Sequence, residues 1–199
     1  MHTTLIQSDD SPPPFSPRRA EAVGMWLFLA ALAMLFFAAM LGYLIVRGRM
    51  AEQSAAALHV PWPLWASTVV LIVSSLFIER AKRLVQREKQ SSFRRAMIAS
   101  LVLSVLFVLV QTPSLISLLE THAEMKATGV GLYGLVFVLI TLHALHILGG
   151  LIPLFITTRK ALRGTYDHEQ YAPVARLAMY WPFLDVVWLL MFAVFVVVG

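Results

Sequence analysis

The sequence predicts an all-α fold: a polytopic membrane bundle of five transmembrane helices, with the N-terminus cytoplasmic and the C-terminus outside. Three observations carry that reading. Of 199 residues, 59% are hydrophobic and 14% are charged, where a soluble domain carries roughly a quarter charged residues. The apolar residues fall in five runs, each near or above the ~20 residues that a bilayer core requires. Lys and Arg collect in alternate loops between those runs, the pattern that fixes orientation in a membrane.

The elements follow in order. The stretch SDDSPPPFSPRR (Ser8–Arg19) is polar, acidic and broken by proline. It is no signal peptide, because its basic residues follow its acids and the next apolar run is too long for an h-region. Residues 1–20 are expected as a disordered cytoplasmic tail, and residues 21–199 as one five-helix transmembrane domain. The first span is Val23–Val46. The second, Pro61–Ile78, is the shortest, and is expected to continue past Glu79 with Arg80 and Lys82 snorkelling to the interface. Ala96–Leu119 is the third, Gly129–Thr157 the fourth and Leu177–Val198 the fifth. The last two are long enough to tilt.

Sidedness comes from the loops. The tail, the 79–95 loop and the 158–176 loop together hold thirteen Lys and Arg residues, against three (Arg47, Arg49, Lys126) on the other side. That asymmetry places the N-terminus in the cytoplasm. It also explains the net charge of +5 by orientation rather than by nucleic-acid binding, which is not expected. The run ERAKRLVQREKQSSFRR (Glu79–Arg95) reads first as a solvated stop signal, with contact to anionic headgroups as the alternative.

Several chemistries are excluded. There are no cysteines, hence no disulfides, iron–sulfur clusters, thiolate-ligated haem or thiolate copper site. GVGLYG (Gly129–Gly134) has dinucleotide-fingerprint spacing but opens a membrane helix instead of following a strand. HEQYA (His168–Ala172) lacks the second histidine of a zincin motif. No catalytic constellation is expected.

The polar residues inside the spans are few, and they are the candidate site. His143 and His146, in TLHALHILGG, lie three residues apart and share one helix face. Two imidazoles fall short of a metal site, and no Glu-x-x-His pair accompanies them. Two readings of the pair stand: hydrogen bonding between helices, and polar contact to a partner subunit or a lipid headgroup. Asp185 is the costliest residue of the chain in hydrocarbon and needs a partner. At 1.5 Å per residue, Asp185 lies ~12–18 Å from the inner boundary, His146 roughly 16 Å and Gln111 roughly 22 Å. Equal depth predicts that the fourth and fifth helices are adjacent, that His146 is the histidine closer to Asp185, directly or through one water or lipid headgroup, and that Gln111 is a candidate partner for His143.

LHALHILGG (Leu142–Gly150) and YWPFLDVVWLLMF (Tyr180–Phe192) resemble the last two helices of subunit III of the haem–copper oxidases, the cytochrome c and quinol oxidases. GMWLFLAALAMLFF (Gly24–Phe37) is similar to an earlier helix of that family, and Ser74–Ser75 and Gln111 fall where the family has S-S and a late glutamine. The resemblance covers residues 23–199, and the fifth-helix motif is its most specific part. Leu32 stands where the family carries an intramembrane glutamate, Ser114 near a family acid, and Pro182 where the family has histidine, so roles tied to that glutamate are not carried over.

The resemblance implies a short five-helix bacterial type of subunit III, a divergent, non-catalytic part of a respiratory terminal oxidase in the cytoplasmic membrane. It implies no cofactor in this chain, with haem and copper in the partner catalytic subunits. The implied partners are the catalytic subunit I, subunit II in the complex, and membrane phospholipids. The residues that match are His143, His146, Asp185, Gln111, Trp26, Phe28, Gly149, Gly150, Trp181 and Trp188, in packing, lipid-contact and subunit-contact roles. An accessory subunit of a nitric oxide reductase or a quinol oxidase is the alternative. A stand-alone transporter would call for internal repeats around a midplane site, and none is evident.

Overall fold

The computed structural model describes residues 17–50, 63–124, 130–166 and 170–198. They form five helices: α1 (Pro17–Met50), α2 (Pro63–Gln86), α3 (Gln90–Glu124), α4 (Val130–Leu162) and α5 (Ala172–Val198). Four of them, α1, α3, α4 and α5, contain stretches long and apolar enough to cross a membrane. The second helix is not among the stretches found in the described residues, and its last third carries Glu79, Arg80, Lys82 and Arg83. It does run on past Glu79, as expected, and ends eight residues beyond the span read from the sequence.

The helices are longer than the apolar runs that predict them, because backbone hydrogen bonding continues into the polar flanks. Pro17 opens α1, a position where its missing N–H would find no helical partner anyway. Residues 17–20, expected in the tail, are therefore helical, and the rest of that tail lies outside the described residues. The stretch 130–134 of the glycine-rich motif is the first turn of α4. Residues 168–169 of the HEQYA stretch lie outside the described residues.

Two tight turns set the neighbours. The second helix ends with the Lys89 N–H on the Leu84 carbonyl at 3.1 Å and the Glu88 N–H on the Val85 carbonyl at 3.2 Å. This is a Schellman cap, and it places Glu88 at φ 56. The third helix starts at once, so α2 and α3 form an antiparallel hairpin. The fourth helix ends in the same way, with Thr165 N–H on the Lys160 carbonyl and Gly164 at φ 76.

Pairings are α2·α3, α3·α4, α2·α5, α4·α5, α1·α4 and α1·α5. Four helices, α2 to α5, thus close a bundle, and α1 lies outside it in the groove between α4 and α5. Trp188 is the centre of the bundle, fully buried. Its ring stacks on His143 at 4.9 Å and on Phe192 at 5.8 Å, and meets Phe107 edge-on at 6.1 Å. The α2·α3 seam is held by Ser74, whose hydroxyl lies 3.1 Å from that of Ser100 and 2.8 Å from that of Ser104. Small residues let these helices approach, and their hydroxyls find partners where lipid offers none.

Candidate functional site

The polar chemistry of the helices, carried by few side chains, divides into three places. The first is at the bundle centre. Gln111 of α3 lies with Nε2 2.8 Å from His143 Nε2, so the structure brings together the pair that depth arithmetic suggested. Trp188 completes this layer by donating its indole N–H to Thr68 Oγ1 of α2 at 2.9 Å. One layer of side chains thereby joins α2, α3, α4 and α5.

The second place is the α4·α5·α1 junction. The Tyr180 hydroxyl of α5 donates to the His146 carbonyl at 2.6 Å and lies 3.2 Å from His146 Nδ1. A phenol has one proton, so with that proton on the carbonyl the Nδ1 contact requires the imidazole to donate. His146 then carries its proton on Nδ1, and its Nε2 is a bare acceptor. That Nε2 is buried and has no hydrogen-bond partner among the described residues. The ring lies edge-to-face with Phe36 of α1 at 5.4 Å and packs on Phe183 at 5.5 Å. Gly150 is needed here for close approach: a Cβ would sit 2.6 Å from Tyr180 Cε1 and 3.0 Å from Trp181 Cζ3. A Cβ at Gly149 would meet the Tyr180 hydroxyl at 3.4 Å.

Among the described residues no direct hydrogen bond joins His146 to Asp185. Helix rise put the two at the same depth, but Tyr180 takes the α4 side of α5. Asp185 is five residues further on, about 140° around the helix at 100° per residue. It is turned instead toward Ser75 of α2. Neither the Ser75 hydroxyl nor Asp185 Oδ1 has a partner at hydrogen-bond distance. This half-buried carboxylate is the third place.

Beside the second place, α1 and the α4–α5 groove enclose a cleft of about 380 Å³. Met25 and Phe28 of α1, Gly149 and Pro153 of α4, and Tyr180 of α5 line its apolar part. Phe28 stacks on Tyr180 at 6.5 Å. At one end the lining turns polar, with Lys160, Tyr166 and Arg176. Arg176 forms an ion pair with Glu21 of α1 at 2.6 Å, closing α1 onto α5 at that end. Burial pushes the Tyr166 hydroxyl above its ordinary range, against the opposing effects of its hydrogen bond to Thr157 and the nearby Arg176.

The remaining residues singled out from the sequence divide between inside and outside. Trp181 is buried and its indole nitrogen lacks a partner. Trp26 is 62% exposed and faces away from every other helix. Sequence reasoning missed Tyr180, Thr68, Lys160 and Arg176. Tyr180 stood inside a quoted motif, yet the three-residue spacing of the histidines drew attention to other imidazole ligands rather than to a phenol. Among the described residues no three His, Cys, Asp or Glu side chains come together as a metal site would require.

Long apolar helices joined by single buried polar pairs define an integral membrane protein whose polar groups hold helix to helix. Its family can be stated more narrowly. A profile of the cytochrome c oxidase subunit III family matches residues 18–199, and the chain belongs to that family. It is similar to the probable cytochrome c oxidase subunit 3 of Rickettsia prowazekii, 31% identical over 136 residues, 67% of this chain and 47% of that protein. It is similar to the probable subunit 3 of Mycobacterium leprae, 29% identical over 128 residues, covering 64% of this chain and 62% of that protein. With the cytochrome c oxidase subunit 3 of Synechocystis it shares 24% identity over 205 residues, 96% of this chain and 85% of that protein. The chain thus spans about half to two thirds of the first two relatives.

Proposed function

We propose that this chain is the non-catalytic subunit III of a respiratory haem–copper oxidase, seated in a bacterial cytoplasmic membrane beside the catalytic subunit. The observation that carries the reading is the family match, which runs from residue 18 to residue 199 and so takes in all five helices. In this reading α2 is the fifth span, shielded by α3 and α5, with its basic end at the cytoplasmic headgroups. Haem and copper belong to the partner subunits, which reduce oxygen and move protons. This chain stabilises the catalytic subunit and holds lipid.

The cleft supports the lipid role. Its apolar length suits acyl chains, and Lys160 and Arg176 at its polar end suit a phosphate. A tagged chain expressed in its own membrane is expected to co-purify with a haem- and copper-containing oxidase that consumes oxygen. Isolation of the tagged chain alone, or with a nitric oxide reductase, overturns the assignment. Lys160→Ala with Arg176→Ala is expected to lower the phospholipid retained per complex, measured by phosphorus analysis. Unchanged retention removes the cleft as the lipid site.

A further inference from the structure

We infer that Asp185 and the open stripe beside it are the seat of a transmembrane helix from another subunit, which places a cationic or N–H hydrogen-bond donor on the carboxylate. This inference rests on the accessory-subunit reading and names the surface through which it acts.

Three observations converge on α5. Its residues Pro182, Val186 and Leu189 are all exposed, Val186 at 53%. They form a stripe in the gap between α1 and α2, two helices that make no contact with each other among the described residues. Asp185 sits at the edge of this stripe, about 40° around the helix from Leu189 and 60° from Pro182. Among the described residues, neither the buried hydroxyl of Ser75, its neighbour on α2, nor its own buried Oδ1 has a hydrogen-bond partner. Ser75 turns its hydroxyl toward the carboxyl group, short of hydrogen-bond distance; one such donor leaves most of a carboxyl's acceptor capacity open, and such groups in hydrocarbon face protein or water.

The alternatives for the occupant differ in what they can donate. Asp185 lies about 14 Å along the helix from Arg176, the nearest cation on α5. A phospholipid resting its headgroup near Arg176 therefore offers only acyl chain at Asp185, and acyl chain donates nothing. A second copy of this chain packed two-fold along the same stripe would bring one Asp185 against another, because Pro182, Val186 and Leu189 carry no side-chain donor. A foreign helix with Arg, Lys, Trp or Asn at this depth satisfies the carboxylate and covers the stripe together. Pro182 adds to the fit. It withdraws a backbone N–H from the Ala178 carbonyl, leaving one more acceptor on the helix.

The test uses the assembled complex in native membranes. A photo-reactive phenylalanine analogue at Val186 is expected to cross-link to a membrane-spanning peptide of another subunit. Mass spectrometry should place an Arg, Lys, Trp or Asn within one helical turn of the attachment point. Asp185→Leu is expected to lower the amount of this chain retained in the detergent-extracted complex on the order of tenfold, and Asp185→Asn less, since the amide still accepts. Circular dichroism and thermal melting of the variant chains alone separate misfolding from loss of docking. Cross-links to lipid only, cross-links to a second copy, or full retention of a folded Asp185→Leu chain each overturn the inference. Should the chain co-purify with no oxidase while the Val186 cross-link still reaches a donor-bearing helix of a defined membrane partner, the function reading fails and the docking surface stands.

Discussion

The inner bundle and the outer helix solve the same problem differently. In the bundle, Trp188, His143, Gln111 and Thr68 come from four helices and meet in one layer, with two hydrogen bonds shared among them. On α1 the large side chains Trp26, Leu27, Met34 and Phe37 all point outward. Its inward contacts are Phe36 on His146, Phe28 on Tyr180, Tyr43 on Phe195 and the Glu21 ion pair. In a membrane, lipid tails are as apolar as a leucine side chain, so helices gain by close packing and by polar pairs rather than by escape from solvent. The bundle has both. The outer helix has a few ring contacts and leaves a cleft beside them. Stability therefore concentrates in α2 to α5, while adaptable space concentrates against α1.

The comparison is open to attack, beginning with its largest expected effect. Trp188→Ala is expected to destabilise the detergent-solubilised chain by about 4 kcal/mol, the range for emptying a large buried aromatic site. A thermal or denaturant melt reads this directly. Should Trp188→Ala and Trp26→Ala cost the same, the division between bundle and outer helix is wrong. Gly150→Ala comes next, at about 2 kcal/mol, because a Cβ within 3.0 Å of two rings forces α4 and α5 apart. The same melt checks it, and Gly24→Ala, where a Cβ meets nothing within 4 Å, serves as its control.

Smaller effects sharpen the picture. A double-mutant cycle of Gln111→Leu and His143→Leu is expected to give a coupling of about 0.6 kcal/mol, the average for such bonds between membrane helices. Zero coupling removes this pair as a link between α3 and α4. Trp26→Ala is expected to change the melt of the isolated chain by less than about 0.5 kcal/mol, as for surface positions generally. A larger loss in the assembled complex than in the isolated chain would assign Trp26 to an interface.

Much of this was legible in the residues. Apolar run length located every helix, and the charged flanks marked where helices turn. The depth argument correctly brought Gln111 to His143. It did not yield a direct hydrogen bond between His146 and Asp185, for a definable reason. Rise along a helix is constant, so height can be counted from the sequence. Azimuth depends on which neighbour claims which face. Tyr180 claims the α4 face of α5, and Asp185 is then carried toward α2. The glutamate position now held by Leu32 told the same story from the other side, since Leu32 packs on the core without offering His146 a polar group.

What the residues determined alone is the number of helices, their order, the heights of their polar groups and the cation asymmetry of their loops. Hydrocarbon compels all of these, because each depends on composition along one chain. Tertiary structure alone decided that α1 lies outside the bundle, that a phenol rather than a carboxylate answers His146, and that Asp185 borders an open stripe. Those outcomes depend on side chains from different helices competing for the same volume, and that competition is settled only when the helices pack.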